Sequence, residues 1–412
     1  MTISTSFTSD LQASIARQQP GFSLEQRFYV DPAIFALDME RVYLRQWLFA
    51  GHCSRIPDAG DYFLYGIAGE SIIVIRQPDQ SVRAMYNVCR HRGSRICLEE
   101  QGSAKRLICP YHAWVYATDG TLMAARHMPD DFDKTSYGLH NVHVQVVEGL
   151  IFVCLAPQAP LFDQVGGDLA AFFAPHQLGK AKIGHVERHV TRANWKLVVE
   201  NFWECYHCGP THPEFSQVMS YSYAHDSAAL AKERADFEVA WREETERRGY
   251  LVGGRDRFTE GGQHFVTRTP IRPGYLTQSE KGKPVAPLMG EFSDYDGGIT
   301  AFMSYPINWF VACNDHAMLS RITPIGPMET EMEFTWLVRA DAESGVDYDP
   351  MTLSWLWRTT AAQDKTICEN NQKGVNSSRY QPGPYSTIET ATRDFIGWYL
   401  QEMRKWALPT PE

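Results

Sequence analysis

Hydrophobic spacing changes twice along the chain. After Asp31, a good N-cap, Pro32 opens a pattern that predicts a short helix over Pro32–Gln46; the residues before it read as a polar start. From Trp47 to Leu155 the texture is β-type: Tyr62–Tyr65, Ser71–Arg76, Arg106–Cys109, Val142–Val147 and Leu150–Leu155, separated by Gly, Pro and Asp. The stretch from Ala156 to Pro160, with two prolines, reads as a linker. Behind it, helical periodicity appears around 192–208 and 349–373, and β-type segments lie between at Gly298–Ile307, Ala317–Pro324 and Glu331–Ala340. No internal repeat or low-complexity segment interrupts this. The pattern predicts an α+β chain, with a β-rich module in front and a mixed domain behind. The expected bounds are an N-terminal segment 1–46 packed with the rear domain, a front domain 47–158 and a rear domain 159–412.

Composition narrows the function classes. A net charge of −10 and a pI of about 5.8 make nucleic acid and anionic membrane surfaces poor partners. The longest apolar runs, such as Leu150–Ala156, are too short to span a bilayer. No basic n-region followed by an apolar stretch opens the chain, so the expected location is cytoplasmic. In that compartment nine cysteines, several beside histidines, point to metal ligation rather than disulfides.

The first chemical constellation is Cys89-Arg90-His91-Arg92-Gly93 followed by Cys109-Pro110-Tyr111-His112-Ala113-Trp114. Two short Cys/His pairs on separate loops can grip one inorganic centre from both sides. Thiolates suit one iron and neutral imidazoles the other, the ligand set of a Rieske [2Fe–2S] cluster. Gly93 and Pro110 permit tight turns, and Tyr111 and Trp114 are expected to shield the centre from water. A tetrahedral zinc site uses the same residue types, but C-x-H is an unusual first pair for zinc and the β-rich setting is unlike a finger. The other cysteines lack ligand spacing, and most of them read as small buried hydrophobes. Arg83, Arg90, Arg92, Arg95, Lys105 and Arg106 reverse the sign of charge locally. They either steer an acidic electron donor or bond local carbonyls and pair with Glu99 and Glu100.

The second constellation is Glu204-Cys205-Tyr206-His207-Cys208-Gly209-Pro210-Thr211-His212. Trp195, Val198, Val199, Phe202, Cys205 and Tyr206 follow helical spacing, which puts Glu204 and His207 one turn apart. Gly209-Pro210 is expected to break the helix and let His212 fold back beside His207. A third ligand is suggested by the helix Pro350–Lys373, expected to end at Gly374. Asp364 sits in its apolar stripe with Leu353, Leu356, Trp357, Ala361 and Cys368. A buried carboxylate needs a partner, and two histidines with one carboxylate make the facial triad of non-haem iron oxygenases. The plainer reading, two core histidines and an Asp paired with an Arg, loses weight beside a cluster motif in the same chain.

Together these motifs resemble the Rieske non-haem iron oxygenase α-subunit family, from about Gln46 to Met403. The resemblance implies a β-rich Rieske [2Fe–2S] domain and a helix-grip catalytic domain with an antiparallel sheet flanked by helices. It also implies a homotrimer, with Glu204 bridging a neighbouring subunit's cluster histidine to the iron. The stretches around Glu204–Cys208, Glu369–Gly374 and Tyr380–Ser386 look like the branch acting on quaternary ammonium compounds, which includes glycine betaine monooxygenase, stachydrine demethylase and carnitine monooxygenase. The implied activity is O₂-dependent N-demethylation of a betaine-like substrate with release of formaldehyde. The alternative is hydroxylation of an aromatic ring or another C–H bond. A pure electron carrier would not need the rear domain. Because no G-x-G-x-x-G follows a strand, a separate NAD(P)H-dependent flavin or iron–sulfur reductase is expected. A trimethylammonium group donates no hydrogen bond and is recognised by aromatic faces. Phe202, Trp203, Tyr206, Tyr305, Trp309 and Phe310 are the candidates for its cage.

Overall fold

The computed structural model describes residues 5–219 and 228–405. Residues 1–4, 220–227 and 406–412 fall outside this description, including the outermost ends of the expected N-terminal and rear segments. The chain forms two compact units, one of residues 44–166 and the other of residues 1–43 with 167–412.

The unit of residues 44–166 is built on a seven-stranded antiparallel sheet. Its strand order is Leu48–His52, Leu150–Cys154, Asn141–Val147, Val82–Tyr86, Glu70–Arg76, Asp61–Ile67 and Gln101–Ser103. A small sheet of Leu107–Ile108, Val115–Tyr116 and Leu122–Ala124 packs with it through a core that includes Ile73, Ile75, Met85, Trp114 and Tyr116. The expected run Arg106–Cys109 is thus only a two-residue strand, because its ends are given over to loops.

The other unit carries a second seven-stranded antiparallel sheet. Its order is Ala181–Thr191, Glu329–Arg339, Ala317–Gly326, Asn308–Ala312, Gly298–Ser304, His264–Pro270 and Gly253–Asp256. Glu329–Arg339 is buried at almost every position, as befits a strand covered on both faces, while the edge strand Gly253–Asp256 is largely exposed. The long helix Pro350–Val375 packs against Ala181–Thr191 and against the helix Trp195–Phe202. It is capped by Asp349, which accepts from the Thr352 N–H, and it runs through Gly374 instead of ending before it.

Several elements differ from the sequence expectation. The polar start is a helix, Thr5–Arg17, which buries Leu11 and Ile15. The helix from Pro32 stops at Arg41 and is followed by a 3₁₀ turn, Tyr43–Arg45; Asp31 caps it by accepting from Ala33 N–H at 2.8 Å. Asp38 on this helix is fully buried. It accepts from the Lys196 ammonium, the Trp195 indole at 2.9 Å and the Tyr399 hydroxyl at 2.7 Å. This one carboxylate ties the N-terminal segment, the helix Trp195–Phe202 and the C-terminal helix Thr390–Lys405 together. No helix among the described residues is long and apolar enough to cross a membrane.

Candidate metal centres and substrate cavity

In the front unit the two Cys/His loops close in the same way. Gly93 N–H donates to the Cys89 carbonyl at 2.9 Å, and Cys89 N–H donates to the Ser94 carbonyl at 2.8 Å. In the second loop, Ala113 N–H donates to the Cys109 carbonyl at 3.0 Å, and Cys109 N–H to the Trp114 carbonyl at 2.9 Å. The residue four after each cysteine must turn left-handed. Gly93 does so at φ +79° without strain, whereas Ala113 adopts φ +55°. Cys89 and Cys109 are buried as neighbours, while His91 and His112 stand exposed with ring centroids 4.6 Å apart. Two inner thiols and two outer imidazoles are the donor set that a [2Fe–2S] cluster with unlike irons requires.

Two supports were not anticipated from the sequence. The Tyr116 hydroxyl lies 3.3 Å from Cys89 Sγ and accepts from Arg90 N–H. Asn87 holds the loop's return by accepting from Ile96 and Cys97 N–H and donating to the Cys97 carbonyl. Trp114 is buried and stacked on His91, but Tyr111 is exposed in this unit, stacked on His112 with the Arg92 guanidinium 5.4 Å from its ring centroid. Tyr111 thus covers the His112 ring while remaining open to solvent itself. Of the basic residues, Arg90 donates to the Gly138 carbonyl.

In the rear unit the helix holding Trp195 ends at Phe202, earlier than expected. Trp203–His207 form a turn, and His207 and His212 cap the two ends of a short helix, Cys208–Thr211. Gly209-Pro210 lies inside that helix, where a first-turn proline loses no intrahelical bond. The break that brings the histidines together thus precedes His207. Cys205 and Cys208 are joined by a disulfide across this turn, so they are not the separate buried hydrophobes expected.

Asp364 meets both histidines. Its Oδ1 lies 2.9 Å from His212 Nε2 and 3.4 Å from His207 Nε2, and one ligand atom from each of the three residues lies within 4.8 Å of the others. The remaining ring nitrogens point away and are occupied. His207 Nδ1 donates to Glu204 Oε1 at 2.5 Å, and His212 Nδ1 to Gln363 Oε1 at 2.8 Å. Glu204 also accepts from Tyr206 and His207 N–H. With both Nδ1 atoms committed, both Nε2 lone pairs can face one ion, so the donors fit a mononuclear iron. Burial disfavours a charged His207, but hydrogen bonds to Asp364 and Glu204 outweigh it and hold its pKa at about 9. Asp364 is held below the usual carboxylate range, because its bonds to His207 and His212 outweigh its burial.

A cavity of about 510 Å³ opens on these three residues. Phe202, Trp309, Trp357 and Phe215 form a continuous aromatic wall, with successive centroids 5.3, 4.6 and 5.4 Å apart. Of the six candidate cage residues, Phe202, Trp203 and Trp309 line the cavity. Tyr206 points to solvent, Tyr305 packs among Trp203, Phe258 and Trp398, and Phe310 stacks on Phe302. Phe215, Phe258, Phe265 and Trp357 line it without having been foreseen. Trp357 had a signal, since it precedes Asp364 by two helical turns on the same stripe. The charged wall residues are Glu204, Asp256 and Asp364; no Lys or Arg lines it among the described residues.

Known proteins resemble the chain over most of its length. Residues 46–143 match the Rieske [2Fe-2S] domain, and residues 178–405 the catalytic domain of the ring hydroxylating alpha subunit. A glycine betaine monooxygenase oxygenase subunit from Chromohalobacter salexigens is 39% identical over 96% of this chain and 89% of its own. Its Pseudomonas aeruginosa counterpart is 36% identical over 93% of this chain and 89% of its own. In structure the chain is similar to a quaternary ammonium Rieske monooxygenase solved with L-carnitine, at a TM-score of 0.70 and 22% identity over 94% of this chain and 97% of that one.

Proposed function

From a chain that belongs to the Rieske ring-hydroxylating oxygenase α-subunit family, and so binds a [2Fe–2S] cluster and a mononuclear iron, we propose the oxygenase component of a quaternary ammonium monooxygenase. In this reading Cys89, His91, Cys109 and His112 hold the cluster, and His207, His212 and Asp364 hold the iron. The iron, when bound, supplies O₂ activation with electrons that arrive through the cluster. Glu204 orients His207 through Nδ1. By resemblance to the family it also bridges to a cluster histidine of a neighbouring subunit in a homotrimer. A separate NAD(P)H-dependent reductase delivers the electrons, and the complex works in the cytoplasm.

The observation that carries the substrate class is the cavity wall. A permanent cation at the metal end meets Phe202, Trp309 and Trp357, with three carboxylates and, among the described residues, no Lys or Arg on the lining. Aromatic faces attract a desolvated cation by about 2 kcal/mol or more. The carboxylate of a betaine meets no Lys or Arg on this lining among the described residues. Hydroxylation of an N-methyl group gives an N-hydroxymethyl ammonium, whose C–N bond then breaks to leave the amine and formaldehyde.

The test is to supply reduced, iron-loaded protein with O₂ and a panel of betaines, and to measure formaldehyde and the demethylated amine. Stoichiometric release from glycine betaine or a close analogue is expected. Hydroxylated product from neutral aromatics, with no formaldehyde from any quaternary amine, would reject the reading.

A further inference from the structure

A second cavity, of about 390 Å³, shares Asn201, Glu204 and His207 with the first, so these three residues separate the two spaces. Glu200 lies on its wall. Oε1 accepts from the Tyr29 hydroxyl at 2.8 Å, and Oε2 from the Tyr385 hydroxyl at 2.9 Å. No cation is within ion-pair distance of it among the described residues. Lys196, one turn earlier on the same helix, is committed to Asp38. The other titratable groups around Glu200 are Tyr380, Glu389, Cys368 and, along the cavity, Glu204. Burial among these groups pushes the Glu200 carboxyl up to about 7, against the pull of the two tyrosines and Lys196, while Glu389 adds to the rise.

We propose that Glu200 is the group through which protons from solvent, entering by the second cavity, reach the iron pocket. The inference rests on the oxygenase reading above. Hydroxylating one C–H bond with O₂ consumes two electrons and two protons. One oxygen atom enters the substrate as hydroxyl, and the other leaves as water carrying both protons. The electrons come from the external donor through the cluster; the protons need their own route. Glu204 cannot supply them, since its carboxylate already accepts from His207 Nδ1 and two backbone N–H groups. The wall of the first cavity is otherwise mainly apolar around the metal ligands. Glu200 can hold a proton near neutral pH and faces a space bounded by Asn201, whose amide nitrogen lies 3.2 Å from His207 Nε2. Water in that space completes the path from solvent. A purely structural Glu200 would serve only to anchor Tyr29 and Tyr385, and a neutral Gln could do the same.

The test compares wild type with Glu200→Gln in the full chain. Infrared difference spectra of the as-isolated protein should show a carboxylic acid band that titrates near pH 7 and is missing in Glu200→Gln. In single turnovers of the reduced, iron-loaded enzyme, product formation in wild type should slow as pH rises through that midpoint and should show a solvent deuterium effect. Glu200→Gln should form product about a hundredfold more slowly, the lower range of general acid catalysis, with unchanged iron content and substrate binding. Glu200→Asp keeps an acid on a shorter arm and should restore part of the rate. Wild-type rate and pH profile in Glu200→Gln, or no titrating band in wild type, overturns the proposal. If Glu200→Gln does not fold, Glu200→Asp decides: a full-iron variant with no pH-dependent product formation also overturns it. Failure of wild type to consume O₂ with any substrate would reject the oxygenase reading instead, and the infrared titration would still report on Glu200.

Discussion

Gln363 is the residue on which metal affinity should turn most sharply without being a ligand. Glu214 is a carboxylate and can only accept, so Gln363 must present its Nε2 to Glu214, at 2.9 Å. That leaves Gln363 Oε1 facing His212 Nδ1 at 2.8 Å, which fixes the proton on Nδ1 and the lone pair on Nε2. Gln363→Leu removes the acceptor at a histidine that is 1% exposed. The buried N–H is then unsatisfied, at a cost of about 1–3 kcal/mol. The ring can escape by moving its proton to Nε2, where Asp364 at 2.9 Å accepts it, and that tautomer cannot bind a metal. Either outcome penalises the bound state, so affinity for Fe(II), or for Co(II) as a stable reporter, should fall about 10–100-fold, roughly 1.4–2.8 kcal/mol. Competition against a chromophoric chelator measures this. The cluster absorption serves as an internal control, because its ligands lie on other loops. Glu214→Gln, which frees the amide to flip, should give a smaller loss in the same direction. An unchanged metal affinity in Gln363→Leu would show that His212 is oriented by its packing alone.

Other expectations are more direct. Trp309→Leu should raise KM for a trimethylammonium substrate about 30-fold, equivalent to roughly 2 kcal/mol of cation–π attraction, yet barely change binding of the neutral tert-butyl analogue; equal losses for both would make the wall a plain apolar surface. Glu204→Gln should keep both metals but slow reoxidation of the reduced cluster in single turnovers, and a wild-type rate there would remove Glu204 from the electron route. Lys196→Met strands Asp38 as a buried charge with only two neutral donors left, so a loss of about 3–5 kcal/mol is expected in denaturant unfolding. Adding Asp38→Asn to that variant should recover most of it, and no recovery would mean that packing, not charge, was lost.

What the sequence revealed and what it hid differ in the range of the interactions involved. Cluster loops were legible because every bond that shapes them is local: each closes on the cysteine's own carbonyl four residues back. Asp364 was legible for an energetic reason, as a carboxylate in an apolar helical stripe. Gln363, its neighbour in sequence, carries no such signal, since its role exists only once His212 arrives from a distant segment. Gly209-Pro210 is the strongest helix breaker nearby in the sequence, yet a proline in a first turn breaks nothing, and the chain turns already at Trp203. The aromatic candidates show the same limit. Trp309 and Phe310 are adjacent on one strand, so only one of them can face the cavity, and period two cannot say which. The register does: Phe310 pairs opposite Phe302 and Leu319 within the sheet core, which sends Trp309 to the cavity beside Phe202 and Trp357. The chain therefore encodes its metal ligands in short motifs but its substrate wall in long-range strand register. Members of one family can thus keep the chemistry while changing what they bind.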